Sequence, residues 1–97
     1  MNNKDTILEK LRENRHILGR DFNVSEIGVF GSVARGEGKD ESDIDLIVEF
    51  SEPPGLFRFI ELENFLSGLF GRRVDLVTKD ALKPIIKDAI LQESVYA

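Results

Sequence analysis

Gly31, Ser32, Asp43, Asp45 and Asp75 are the residues of this chain whose types and spacing can handle a phosphate and a hard cation. Gly31-Ser32 stands ten residues ahead of Asp43-Ile44-Asp45. Side chains on a strand alternate between faces, so a strand here projects Asp43 and Asp45 together, with Ile44 and Leu46 opposite. Like charges on one side of a strand repel each other unless something positive sits between them. The simplest counter-charge is a divalent cation. Asp75, between Val74 and Leu76, is a further acid pointing off one sheet face. If its strand lies beside that of Asp45, the three carboxylates converge as a hard-oxygen ligand set suited to Mg²⁺. Two such ions about 3.5–4 Å apart activate an attacking oxygen and stabilise a leaving pyrophosphate. A lone Asp is more often a solvated strand-end residue, but that reading does not explain Asp-x-Asp set among apolar residues behind a Gly-Ser turn.

The turn has its own chemistry. Gly31 lets the backbone approach a ligand with no Cβ in the way, and the N–H groups that follow it suit an anion. Ser32 adds a hydroxyl donor. Arg35, one helical turn later, reads two ways: a guanidinium for a β- or γ-phosphate, or an ion pair with Glu37 or Asp40. Ser42 either bonds a phosphate or caps the loop. Glu37 reads as a positioning or solvated residue rather than a metal ligand, and His16, among Arg and Asn on the first helix, as an exposed one. Arg72 and Arg73 read as residues that flank a strand rather than bind nucleic acid, with approach to a nucleotide left open to either.

The elements that must hold these residues follow from hydrophobic periodicity. Asp5 or Thr6 caps a first helix carrying Ile7, Leu8, Leu11, Ile17 and Leu18, and Gly19 is the expected stop. Val24 to Phe30 reads as a strand, followed by the Gly31-Ser32 turn and a short helix through Ala34 and Arg35. Gly36 to Glu41 is a polar loop and Asp43 to Phe50 the second strand, closed by Ser51-Glu52-Pro53-Pro54-Gly55. Phe57, Ile60, Leu62, Phe65, Leu66 and Leu69 mark an amphipathic helix ended by Gly71. Phe59 lies off that stripe, which leaves it to partial burial or a partner. Arg73 to Val77 is a third strand, Pro84 opens a last helix to about Gln92, and Val95-Tyr96 is a short final strand or a frayed end. The order predicts an α/β fold, a small sheet covered by helices.

The chain has 97 residues, 41% of them hydrophobic, which predicts a single domain over residues 1–97 with a packed core. A formal charge of -5 argues against direct nucleic-acid binding, because a polyphosphate backbone needs a basic face. With no cysteine there are no disulfides, no thiolate metal site and no thiol nucleophile. No apolar run approaches the roughly 18 residues of a membrane span, so the expectation is a soluble cytoplasmic protein with no membrane contact.

Taken together, these residues resemble the minimal nucleotidyltransferases, or MNT domains, of the DNA polymerase β superfamily. The superfamily pattern is a Gly-Ser turn, about ten residues, Asp-x-Asp, then a third acid in a later strand. Gly31-Ser32, Asp43-Ile44-Asp45 and Asp75 supply it, and Gly-Ser-x-Ala-Arg-Gly-Glu at Gly31 to Glu37 with Ser-Asp-Ile-Asp-Leu at Ser42 to Leu46 sharpens it. The stretch Leu69 to Val77 looks like the family's approach to its third acid. The resemblance spans nearly the whole chain and shows no departure at an expected catalytic position. It implies a polymerase-β-like core with a mixed sheet, two Mg²⁺ ions on Asp43, Asp45 and Asp75, and ATP whose phosphates rest on Gly31, Ser32 and Arg35, with Ser42 nearby. Family members transfer a nucleoside monophosphate to a hydroxyl and release pyrophosphate. A chain of this length leaves no room for an acceptor-binding domain, so the acceptor is expected on another chain. Minimal members typically act as antitoxins of a HEPN-type RNase toxin, some by adding AMP to a toxin tyrosine. That is the function the resemblance implies here. The alternatives are an antitoxin that is catalytically idle and neutralises by binding alone, and modification of an aminoglycoside-like hydroxyl.

Overall fold

The computed structural model describes residues 3–37 and 43–97. The chain runs α1 (Lys4–Glu13), α2 (Arg15–Phe22), β1 (Val24–Phe30), α3 (Gly31–Ala34), β2 (Ile44–Phe50), α4 (Leu56–Phe70), β3 (Val74–Thr78), a 3-10 turn (Lys79–Ala81), α5 (Pro84–Glu93) and β4 (Val95–Tyr96). The α/β order expected from the sequence is present, with the final strand formed rather than frayed.

The start of the chain differs from expectation. Asn3, not Asp5 or Thr6, caps α1, its side-chain oxygen accepting the Thr6 N–H at 2.9 Å. The single helix expected to stop at Gly19 is two. Asn14 leaves the helical region (φ -101, ψ 9) and its amide donates to the Lys10 carbonyl at 2.8 Å, so a polar side chain takes over a helix-end acceptor and breaks the run. Gly19 lies inside α2, which ends instead at Asn23 in the left-handed region at φ 58.

Strand order in the sheet is β3-β2-β1-β4, with β1 antiparallel to both β2 and β4, and β2 parallel to β3. A parallel pair needs a long crossover, and α4 supplies it. Leu62, Leu66 and Phe70 recur at every fourth residue of α4 and are buried against the sheet, while Leu56, Phe57 and Ile60 near its start stay exposed. Phe59 is partly buried, edge-on to Phe50 at 6.3 Å, which settles its reading in favour of packing.

Ile27 and Val29 of β1, Ile44, Leu46 and Val48 of β2, and Val74 and Leu76 of β3 form one core with Ile7, Leu8, Leu11, Leu18 and Phe22 of α1 and α2 and the buried stripe of α4. Burying each such aliphatic side chain is worth about 1.5–3 kcal/mol. Because strand residues alternate, fixing the even-numbered residues of β2 and β3 in this core turns Asp45 and Asp75 to the other face. The core therefore sets the direction of the acids.

Candidate active site

β2 and β3 lie side by side in the register Ile44 with Val74, Asp45 with Asp75 and Leu46 with Leu76. Adjacent strands are about 4.8 Å apart, so Asp45 and Asp75 are direct neighbours on one face. Asp43 precedes β2 by one residue and is exposed. Burial pushes the Asp45 carboxyl above its ordinary value, the negative charges of Asp75 and Asp43 push it the same way, and Arg35 pulls against them. The charges of Asp43 and Asp75 thus both reach Asp45, and the strand adjacency expected for Asp45 and Asp75 is present.

Gly31 is the other half of the arrangement. Phe30 pairs with Asp45 across β1 and β2, which brings the turn after β1 against the Asp45 carboxylate. Gly31 has φ +72, and a Cβ built on it would run into Asp45 Oδ2 and lie 3.0 Å from Asp45 Cγ. Glycine is thus required twice at this position, by the backbone angle and by the carboxylate packed on it.

Arg35 follows at the end of α3. Its Nε donates to Glu37 Oε2 at 2.6 Å and its Nη1 to Glu93 Oε2 at 3.0 Å. The ion-pair reading of Arg35 is thus realised, with Glu37 as one of its partners. The Gly31 N–H donates to the other oxygen of Glu93, Oε1, at 3.0 Å. Sequence reasoning missed Glu93, which lies 62 residues from Gly31 with no local pattern to mark it. Ser32 is half-buried, and its carbonyl accepts the Glu37 N–H at 2.8 Å. Arg73, 84% exposed, reaches Asp43 at 3.9 Å, a contact that solvent weakens. His16 is exposed, as expected. Ser42 and Asp40 lie outside the described residues.

Among the described residues no three His, Cys, Asp or Glu side chains close on one point as a metal cage. The donor chemistry fits Mg²⁺ on other grounds, since that ion takes one or two carboxylates and completes its shell with water and substrate phosphate oxygens. Like-charged carboxylates in register, one of them partly buried, are an arrangement that a hard cation relieves.

The nucleotidyltransferase domain family model matches residues 7–97. The protein adenylyltransferase MntA of Thermococcus cleftensis is 51% identical over 86 residues, covering 89% of this chain and 87% of that one. A solved structure of a candidate minimal nucleotidyltransferase superposes with a TM-score of 0.81 at 34% identity, over 96% of this chain and 94% of its own. A chain in the complex of a tri-AMPylated HEPN toxin with an MNT antitoxin from Shewanella oneidensis shares the fold with a TM-score of 0.61 at 21% identity, over 97% of this chain and 67% of that one.

Proposed function

This chain belongs to the nucleotidyltransferase domain family, and on that footing we propose that it transfers AMP from ATP to a hydroxyl, a tyrosine, of a HEPN-type toxin and so acts as the toxin's antitoxin. The observation that carries the reading is the in-register pair Asp45 and Asp75 with Gly31 packed on Asp45, in a chain half identical to a protein adenylyltransferase. The AMPylated toxin in the Shewanella oneidensis complex supports the choice of partner.

In this reading the acceptor oxygen bonds to the α-phosphorus of ATP, the bond from that phosphorus to the bridging oxygen breaks, and pyrophosphate leaves. Asp43, Asp45 and Asp75 would hold two Mg²⁺ ions, which when bound supply Lewis-acid stabilisation of charge on the phosphate oxygens. The chain's own residues do the positioning. Gly31 keeps the turn close to Asp45, its N–H and the Arg35 guanidinium are donors for the triphosphate, and Ser32 and Ser42 add hydroxyls. Asp75, exposed beside Asp45, takes the acceptor's proton. Holding acceptor and nucleotide in line is a large part of any transfer rate, and that task falls to the contact with the toxin.

The test is incubation of the chain and toxin with Mg²⁺ and ATP labelled on the α-phosphate. Label enters the toxin with the wild type and not with Asp43→Asn or Asp45→Asn, and label on the γ-phosphate never enters. Transfer that survives in both variants refutes the assignment. A binding-only antitoxin is the second reading, favoured by exposed Leu56, Phe57 and Ile60 on α4. It predicts that folded Asp45→Asn still protects cells from the toxin.

A further inference from the structure

We propose that Glu93 is an internal competitor for the nucleotide's phosphates, a carboxylate of the chain itself that ATP displaces on binding. The proposal rests on the nucleotide reading above and specifies how that site is kept when ATP is away.

Both oxygens of Glu93 are engaged, Oε1 by the Gly31 N–H at 3.0 Å and Oε2 by Arg35 Nη1 at 3.0 Å. These are the donors assigned to the triphosphate. A backbone N–H and a guanidinium gripped by two oxygens of one anion is the pattern a phosphate makes. One set of donors does not serve a second anion while the first remains. With Glu37 also on Arg35, two carboxylates already share one cation, so an incoming triphosphate meets repulsion until one of them leaves.

Glu93 is the better anchored of the two. It is 28% exposed against 63% for Glu37, and the backbone after it is tied down. The Ser94 N–H donates to the Ile90 carbonyl at 3.0 Å, Val95 and Tyr96 pair with Val29 and Gly28, and the Ala97 N–H donates to the Ile27 carbonyl at 2.9 Å. Gly28 permits this closeness, since a Cβ there would lie 2.7 Å from the Val95 carbonyl oxygen. A tethered competitor acts at high effective concentration, and only its side chain has to swing for the donors to be freed. The apparent dissociation constant is then the intrinsic one divided by the fraction of molecules with Glu93 away.

The test is calorimetric titration of the full chain with ATP and Mg²⁺, with adenosine and with inorganic tripolyphosphate, for wild type, Glu93→Ala and Glu93→Gln, each checked for folding by its thermal melt. We expect Glu93→Ala to bind ATP and tripolyphosphate about tenfold more tightly, the effect of releasing one charge-assisted contact. Glu93→Gln keeps an acceptor for Gly31 but loses the charge opposite Arg35, and gains less. Adenosine, which has no phosphate, shows no gain. Equal or weaker ATP binding by the folded variants, with wild type binding ATP, overturns the competitor and leaves the nucleotide site standing. Failure of all three proteins to bind ATP overturns the nucleotide reading, and the competitor with it.

Discussion

Replacing Gly31 by alanine separates backbone strain from site geometry, because Gly71 offers the first without the second. Both glycines are in the left-handed region, at φ +72 and φ +63, but an added Cβ at Gly71 meets none of the described residues within 4 Å. An L-residue in that region costs about 1–2 kcal/mol, and stiffening the unfolded chain returns about 0.4–1 kcal/mol. Gly71→Ala should therefore lose about 1 kcal/mol, a Tm drop of about 4–8 °C for a domain of this size. Gly31→Ala carries the same strain, and its Cβ must also move the Asp45 carboxylate, whose Cγ and Cβ would lie at 3.0 and 3.2 Å. Overpacking of that kind adds about 1–3 kcal/mol, so the total is about 2–4 kcal/mol. Displacing a reactive group by about 1 Å costs on the order of 100-fold in rate. Thermal melts and the AMP-transfer assay on both variants measure the two effects together. Gly31→Ala should melt well below Gly71→Ala and lose transfer, whereas Gly71→Ala keeps transfer within about twofold. If Gly31→Ala melts with Gly71→Ala and still transfers AMP, the tight packing of turn on carboxylate is wrong.

The raised Asp45 titration has a definite sign. Its folded value lies above the ordinary 3.8, so its contribution to stability is full below that value and lost as pH rises through the raised one. Metal-free Asp45→Asn should accordingly be more stable than wild type at pH 7 and equal to it in acid, a comparison that denaturant melts across pH decide. Adding Mg²⁺ with ATP should raise the wild-type Tm and leave that of Asp45→Asn nearly unchanged, with chelation reversing the gain. At a hundredfold excess over the dissociation constant the stabilisation is about 2.7 kcal/mol. Leu66→Ala, at a fully buried position of α4, should cost about 3–5 kcal/mol in urea unfolding. A cost below about 1 kcal/mol would contradict the packing of α4 on the sheet.

What the sequence disclosed, and what it withheld, divides by range. The shared face of Asp45 and Asp75 was legible because a strand's period of two assigns faces without knowledge of neighbours, and Ile44, Leu46, Val74 and Leu76 fixed which face was inside; Asp43 falls just before β2. That β3 lies beside β2 was only a condition, since period says nothing of strand order. The crossover by α4 meets it. Helix ends were the weakest reading. Gly19 is the more familiar breaker, yet among the described residues an added Cβ there meets only the Val24 carbonyl oxygen within 4 Å, and a helix tolerates it. Asn14 and Asn23 end their helices through a side-chain amide and a left-handed backbone, chemistry that is local but unmarked by periodicity. Lys79 shows the same limit at longer range. It sits at 3.0 Å from Glu26 and over the ring of Tyr96, partners that only the folded sheet assembles.

The charge balance around the acids gives a physical argument for a ligand. Among the described residues, the cations seen at the site, Arg35 and Arg73, pair with carboxylates other than Asp45 and Asp75. Arg73 reaches Asp43 at 3.9 Å and in solvent, where such a pair is worth less than about 1 kcal/mol. Arg35 is committed to Glu37 and Glu93. The core fixes Asp45 and Asp75 in register, so the strands cannot relieve the repulsion by sliding: a shift of one residue would turn Ile44, Leu46, Val74 and Leu76 outward as well. A bound cation or a proton relieves it without moving the strands. Burial and the neighbouring acids shift the Asp45 titration upward, in the direction that favours a proton, and a Mg²⁺–nucleotide complex brings the cation for the carboxylates together with the anion that contests Glu93 for Arg35. The same ligand would thus answer both imbalances, which is why removing Asp45 and removing Glu93 should move ATP affinity in opposite directions. Measured in one titration series, a shift of the two variants in the same direction would break that link.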